Sequence, residues 1–109
     1  MEYRITKENC AAGISGVCSM CGGQLSPIET VDNSRNPTFW PGCKECCRFE
    51  NGVKPDVYRV AKAMVEDHGY RGSSYMHIDG SEGDEMKRYK LNNHISGACG
   101  VVRLVLSLM

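Results

Sequence analysis

The chain has 109 residues, with 13 basic against 13 acidic side chains and a pI near neutrality. This length predicts a single domain, and the balanced charge argues against the broad basic field of a nonspecific nucleic-acid binder. No apolar run reaches membrane-spanning length and the first residues contain no signal-peptide core, so we expect a cytoplasmic protein.

The first seventeen residues contain Tyr3, Ile5 and a glycine-containing segment at positions 13 to 17. This pattern predicts a short strand that leads into a cysteine-rich region. The chain has seven cysteines, and an odd number without a signal peptide favours metal ligation over a disulfide framework. Two of them, Cys10 and Cys99, are isolated, and we expect both to be small buried residues.

Two Cys-x-x-Cys pairs dominate the next region, namely Cys18 with Cys21 and Cys43 with Cys46. Two intervening residues let both sulfurs of a pair point at one ion, and the separation of the pairs is typical of a closed four-thiolate zinc site. We therefore predict a structural Zn²⁺ bound by these four cysteines. Iron, bound as in rubredoxins, is the alternative metal, and the neighbouring Cys47 is an alternative fourth ligand.

Between the two pairs, apolar residues flank a polar segment at positions 32 to 37, which predicts a β-hairpin with its turn in that segment. A zinc knuckle, a hairpin and a second knuckle form the layout of a zinc ribbon over residues 18 to 47. A treble clef, in which the second pair opens a helix, is the near alternative. We expect residues 48 to 54 to form a loop, which favours the ribbon.

An amphipathic helix is predicted over residues 55 to 68. Pro55 suits the first turn of a helix, Asp56 complements the positive end of its dipole, and Gly69 is a typical stop. The apolar residues at helical spacing are Val57, Val60, Ala61, Met64 and Val65. They predict one buried face.

The remaining chain predicts a loop over residues 69 to 83 with one short strand near residues 74 to 78. Acidic residues followed by basic ones then predict a helix from about Gly83 to Asn92. The apolar segment 96 to 108 fits a helix or a strand, and its spacing favours the helix. The stripe consists of Ile95, Cys99, Val102, Leu106 and Met109. We expect it to pack on the helix at 55 to 68 or to form a homodimer seam.

These elements together predict an α+β fold, in which a zinc-ribbon-like hairpin with two knuckles is followed by two or three α-helices. Within the single domain at 1 to 109, residues 18 to 47 form the ribbon and residues 55 to 109 form the mainly helical part. A closed zinc site leaves no position for substrate. We therefore expect the metal to have a structural role.

Three histidines are the candidate catalytic bases, and none of them lies in a local catalytic motif. We interpret His68 as a cation at a helix end, His77 as a loop or strand side chain, and His94 as a residue near a helix start. No phosphate-binding loop and no nucleophile signature is present in the sequence. We therefore expect a protein without enzyme activity.

Residues 18 to 47 resemble the zinc-ribbon class, whose members are mostly binding modules for nucleic acid or protein. Roughly residues 37 to 68, including the runs at 37 to 43 and 57 to 65, resemble small uncharacterised proteins carried by bacteriophages and prophages. This second resemblance implies a phage protein that binds a host protein complex, such as a polymerase, nuclease or CRISPR complex, and inhibits or redirects it. Fold resemblance alone does not establish such a function.

Two functional hypotheses follow. The first is a zinc-stabilised interaction protein that binds another protein through the exposed part of the hairpin and the region at 70 to 90. The aromatic candidates for this contact are Phe39, Trp40, Tyr70 and Tyr75.

The second hypothesis is a nucleic-acid-binding ribbon that uses basic residues near the metal. The candidates are Arg35, Lys44, Arg48, Lys54 and Arg59. Three acidic residues, Glu45, Glu50 and Asp56, offset this charge, which ranks the second hypothesis below the first. Binding that weakens steeply with salt would distinguish it from a protein-binding function.

Overall fold

The structure is a computed structural model that describes residues 5 to 74 and 76 to 109. Over these residues the elements are α1 (Lys7–Gly13), β1 (Ser26–Val31), β2 (Pro37–Cys43), β3 (Arg48–Phe49), α2 (Pro55–His68) and α3 (Asp84–Ser107). The predicted α+β class, with a hairpin followed by helices, is confirmed. No helix of the described residues is long and apolar enough to cross a membrane.

The chain divides into two compact units. The first, which we call the strand unit, contains the chain up to Cys18 together with Gly23–Val53, and the second, the helix unit, contains Ser19–Gly22 and Lys54–Met109.

The strand unit contains an antiparallel sheet in the order β1-β2-β3. The predicted hairpin is confirmed, with Ile28 of β1 opposite Trp40 of β2. Its turn is fixed by Asp32, whose Oδ1 accepts hydrogen bonds from the backbone N–H groups of Ser34 (2.9 Å) and Asn36 (2.8 Å). A short acidic side chain that bonds its own backbone two residues on is a common way to close such a turn.

The loop expected over residues 48 to 54 begins instead with β3, where Arg48 lies opposite Cys43 and Phe49 lies opposite Gly42. A two-residue strand is too short to produce an alternating pattern, so the sequence gives no sign of it. Gly42 permits the pairing, because a Cβ at this position would meet the Phe49 backbone at 3.3 Å. A strand after the second cysteine pair distinguishes a ribbon from a treble clef.

The strand predicted within the first seventeen residues is wrong over residues 7 to 13, which form α1. Thr6 caps this helix, because its hydroxyl accepts a hydrogen bond from the Asn9 N–H at 3.1 Å. Among the described residues of this segment, Val17 forms isolated bridges with Gln24 and Val53, and the Ile5 carbonyl accepts a hydrogen bond from the Phe39 N–H at 3.0 Å. Tyr3 lies outside the described residues.

The helix unit is built on α2 and α3, which pack against each other. The predicted helix at 55 to 68 is confirmed with these bounds, and Gly69 ends it in the left-handed conformation with φ of 70°. The buried residues of the pair are Val57, Ala61 and Val65 of α2, and His94, Ile95, Ala98, Cys99 and Val102 of α3. Of the five residues predicted for the buried face of α2, the other two differ: Met64 is half-buried and Val60 is 46% exposed.

The two helices predicted at 83 to 92 and 96 to 108 are one continuous helix, α3, with Gly83 as its N-cap. The helical alternative for the C-terminal segment is therefore correct. No proline interrupts residues 84 to 107, so nothing in the backbone requires a break between the two predicted helices. Of the predicted stripe, Leu106 and Met109 are exposed.

The strand predicted near residues 74 to 78 is absent among the described residues of that segment, and Tyr75 lies outside them. The segment is held to α3 by His94, whose Nδ1 accepts a hydrogen bond from the Ser73 N–H at 3.1 Å. The Nε2 of the same ring lies 2.6 Å from the Met76 carbonyl oxygen. Side-chain bonds of this kind satisfy the backbone groups that a strand would otherwise pair.

Candidate metal centre

The first knuckle contains Cys18 and Cys21. The Cys18 N–H donates to the Gly23 carbonyl at 2.9 Å, which closes the turn, and Gly22 within it has φ of 73°. Glycine adopts this conformation at no steric cost, and a Cβ at Gly22 would collide with the Tyr58 ring. The local sequence Cys-x-x-Cys-Gly-Gly therefore produces a tight turn with both thiols on its inner side.

The second knuckle begins where β2 ends, at Cys43. The backbone N–H of Cys46 donates to the Cys43 sulfur at 3.4 Å, which turns the chain around that sulfur. Cys47 follows in the left-handed conformation, with φ of 53°. Strand β2 thus positions Cys43, and the turn after it positions Cys46.

The structure brings the four predicted cysteines together. The sulfur atoms of Cys18, Cys21, Cys43 and Cys46 all lie within 4.8 Å of one another. The sulfurs of Cys18 and Cys46 are 3.8 Å apart, and four thiolates about 2.3 Å from one ion at tetrahedral angles would be separated by roughly the same distance. This donor set fits a metal ion such as zinc.

Cys47 is separate from this cluster. Its side chain is exposed and its thiol donates to the Lys44 carbonyl at 3.5 Å. The two-residue spacing thus selects Cys46 rather than Cys47 as the member of the cluster. Cys10 and Cys99 are both buried, as predicted.

Glu50 lies beside the cysteine cluster, and the sequence does not predict this contact. Its Oε2 lies 3.5 Å from the Cys18 sulfur and 3.6 Å from the Nε of Arg48, and its side chain is only 7% exposed. A carboxylate repels a thiolate, and the adjacent guanidinium offsets part of that repulsion. The contact depends on β3, which carries Arg48 and leads directly into Glu50.

The three histidines lie apart from the cysteine cluster in the sequence and have different surroundings. His94, expected near a helix start, lies instead in the middle of α3, is buried, and has both ring nitrogens within hydrogen-bonding distance of a backbone partner. His68 is the exposed last residue of α2, as predicted. His77 is an exposed loop residue whose carbonyl oxygen accepts a hydrogen bond from the Lys90 ammonium at 2.7 Å.

An aromatic concavity lies on the strand unit. It has a volume of about 470 Å³ and is lined by Thr30, Val31, Trp40, Pro41, Phe49, Glu50 and Asn51. Trp40 is 47% exposed and Phe49 is 54% exposed. Trp40 is one of the predicted contact residues. Phe49 is not among them, because the sequence does not indicate a strand β3 that exposes its side chain.

The other candidate contact residues are distributed differently. Phe39 is half-buried, Tyr70 is 36% exposed, and Tyr75 lies outside the described residues. Among the basic candidates, Arg48 pairs with Glu50, and Arg59 pairs with Asp56 at 2.9 Å in an exposed ion pair.

No family model matches this chain, and neither a curated protein nor a solved structure matches it. The site therefore defines the chain only as an α+β protein with a four-cysteine cluster able to bind a metal ion.

Proposed function

We propose that this chain is a non-enzymatic, zinc-stabilised interaction protein that binds another protein through the aromatic concavity of its strand unit. The observation that supports this most directly is the exposure of Trp40 and Phe49 on one small sheet. Large aromatic side chains are the residues most enriched at the energetic centres of protein interfaces. A sheet with no binding role would rarely expose two of them together.

The charges around the concavity favour a protein partner over nucleic acid. Its lining contains no lysine or arginine, and its single charged residue, Glu50, is an acid. Binding to a phosphate backbone depends on lysine and arginine side chains that neutralise phosphates. Base stacking on Trp40 and Phe49 without such contacts would be weak, so the nucleic-acid-binding alternative ranks second.

The metal has a structural role in this proposal. Four cysteine thiolates complete the usual coordination of Zn²⁺, which leaves no open position for water or substrate. When bound, the ion would fix both knuckles and so hold the strands that carry Trp40 and Phe49. Iron in the same sulfur cage would serve the same structural purpose and would differ in its redox chemistry.

The resemblance of roughly residues 37 to 68 to small phage proteins supports a more specific biological role. A phage-encoded chain of this size would act on a host protein complex in the cytoplasm, and masking a functional surface of that complex would inhibit it in the manner of an anti-CRISPR protein. This part of the proposal is supported by the sequence resemblance alone.

The test is capture of partners from a nuclease-treated bacterial lysate with the zinc-loaded protein and two variants. Trp40→Ala with Phe49→Ala removes the aromatic surface. Tyr89→Ala is the matched control, because Tyr89 is 51% exposed but lies on α3 in the helix unit. We expect one defined protein complex to be retained by the wild type and the control, and to be lost with the double variant.

Two results would contradict the proposal. Equal retention by the double variant would show that the concavity is not the binding surface. Binding to DNA or RNA that weakens by orders of magnitude between about 50 and 200 mM salt would favour the nucleic-acid-binding function instead. Circular dichroism and zinc content of each variant establish that its fold is intact.

A further inference from the structure

The C-terminal part of α3 exposes an unusual amount of apolar surface. Val102 is the last buried residue of the helix. Beyond it, Leu104 is 61% exposed, Leu108 is 79% exposed and Met109 is 92% exposed. Scattered apolar residues on a surface are normal, whereas a contiguous patch of this kind marks an interaction site.

The spacing of these residues defines one stripe along the helix. Val101, Leu104 and Val105 lie on one face of α3, and Leu108, the C-cap residue, continues that face at the next interval of three. Apolar residues that recur every three or four positions form the contact face when two α-helices pack side by side. The only charged residue of the segment, Arg103, falls on the opposite side of the helix.

We propose that this stripe, which we call the α3 seam, is a homodimer interface in which it packs against the same seam of a second copy. A two-fold interface brings one surface against itself, so a charged patch would repel its own copy. The α3 seam carries no charge, and the whole chain has a formal net charge of +0. Neither short-range nor long-range repulsion therefore opposes pairing of identical chains.

The available area also matches a dimer. The four seam residues and Met109 together expose on the order of 600 Å² per copy, against roughly 800 Å² per partner in a standard protein interface. Neighbouring atoms on both helices would contribute the remainder of the contact. An interface at this lower limit predicts a dimer with a dissociation constant on the order of micromolar.

The test is the mass of the zinc-loaded full chain in sedimentation velocity between about 1 and 200 µM, where a dimer has twice the 12.1 kDa of the single chain. Leu104→Glu places a charge in the α3 seam without touching a buried residue. Ser107→Glu adds the same charge one turn further along but outside the seam. We expect a concentration-dependent dimer for the wild type and for Ser107→Glu. For Leu104→Glu we expect the dissociation constant of the dimer to rise by about 100-fold or more.

Wild-type protein that stays monomeric over the whole range would overturn the proposal. A dimer that survives Leu104→Glu would overturn it as well, because pairing would then use another surface. Loss of the dimer in both variants would show that added charge anywhere on α3 is sufficient, and it too contradicts a specific seam. Far-UV circular dichroism confirms that both variants keep their helices.

The inference is independent of the proposed function. The sedimentation experiment needs no partner, and it leaves Trp40 and Phe49 unchanged. A failure of dimerisation and a failure of partner capture are therefore separate results.

Discussion

The strand unit and the helix unit are each stabilised internally by a different kind of interaction. Among the described residues of the strand unit, which begin at position 5, the buried apolar residues other than cysteine are Leu25 and Val53. In the helix unit, six aliphatic side chains are buried along the α2 and α3 contact: Val57, Ala61, Val65, Ile95, Ala98 and Val102. A unit with so few buried aliphatic side chains cannot offset the entropy of ordering its chain by burial alone, whereas a helix pair with a continuous apolar face has its own core. This comparison indicates that metal binding matters most to the strand unit.

Removal of the metal should have the largest effect, because it should destabilise the strand unit much more than the helix unit. We expect chelation to unfold the strand unit, because binding of structural zinc contributes on the order of 10 kcal/mol in small domains, and to leave much of the helix signal in place. The single tryptophan, Trp40, reports on the strand unit by its fluorescence, while circular dichroism at 222 nm reports mainly on the helices. Replacing Cys43 by Ser should have the same effect.

Readdition of Zn²⁺ should restore the Trp40 signal of the wild type but not that of Cys43→Ser. Cys47→Ser is the matched control, since Cys47 is exposed and outside the cluster. A chelated protein with unchanged fluorescence would contradict the proposed role of the metal.

A second perturbation should act on the helix unit alone. Gly97 of α3 touches the backbone of Gly72, and a Cβ at Gly97 would collide with the Gly72 carbonyl. We expect Gly97→Ala to displace the segment around Gly72 and to cost about 1–3 kcal/mol of unfolding free energy, as other overpacking substitutions do. Thermal unfolding followed at 222 nm measures the loss.

The same helix offers the control. A Cβ at Gly100 would meet nothing within 4 Å, so Gly100→Ala should stabilise α3 by about 0.5–1 kcal/mol through helix propensity. Equal effects of the two substitutions would show that the backbone contact between Gly72 and Gly97 is not a packing constraint.

A third substitution tests the electrostatics of the metal centre. Glu50→Gln removes a negative charge 3.5 Å from the Cys18 sulfur and leaves Arg48 to face the thiolates. We expect zinc affinity to rise several-fold, up to about tenfold, because a like charge no longer opposes the thiolate form. Competition with a coloured chelator at constant pH measures this change.

Glu29→Gln, on the exposed part of β1, removes the same charge elsewhere on the strand unit and should leave the affinity unchanged. Weaker zinc binding by Glu50→Gln would mean that the carboxylate supports the cluster instead of opposing it.

The smallest expected effect concerns the turn before α3. The hydroxyl and backbone N–H of Ser81 donate to Asp79 at 2.6 and 2.8 Å and hold the pKa of its carboxyl well below its ordinary value of 3.8. Since the folded turn then binds the proton more weakly than the unfolded chain, the stabilisation is complete above the ordinary pKa and declines as the pH falls below it.

The measurement is an NMR titration of the Asp79 carboxyl and the Ser81 amide, because acid also releases zinc from thiolates and would obscure a global melt. Ser81→Ala should shift the Asp79 titration back towards the ordinary value. An unchanged titration in that variant would show that the bond from the Ser81 hydroxyl does not cause the shift.

Features with a local sequence signature were predictable. The α2 bounds followed from Pro55, the apolar spacing and Gly69, and the cysteine cluster followed from two short repeats of the same spacing. The hairpin turn followed from the polar segment that contains Asp32. In each case a few neighbouring residues determine the conformation, so no long-range contact had to be known.

Features that depend on residues far apart in the chain were missed. Glu50 reaches Cys18 across 32 positions, and His94 bonds Ser73 across 21 positions. The strand β3 exists because it pairs with β2, and its two residues carry no pattern of their own. The continuity of α3 was missed because charge and apolar spacing were interpreted as two separate helices.

The prolines of the hairpin leave its cross-strand bonds intact. Pro27 faces Pro41 and Pro37 faces Val31, and these pairs alternate with the pairs that exchange hydrogen bonds between β1 and β2. The backbone of β2 points away from β1 at the intervening positions, where the Phe39 N–H donates to the Ile5 carbonyl and the Pro41 carbonyl accepts from the Glu50 N–H. A missing N–H costs nothing there, while the three rings restrict the unfolded chain, so these residues favour the paired state of the hairpin.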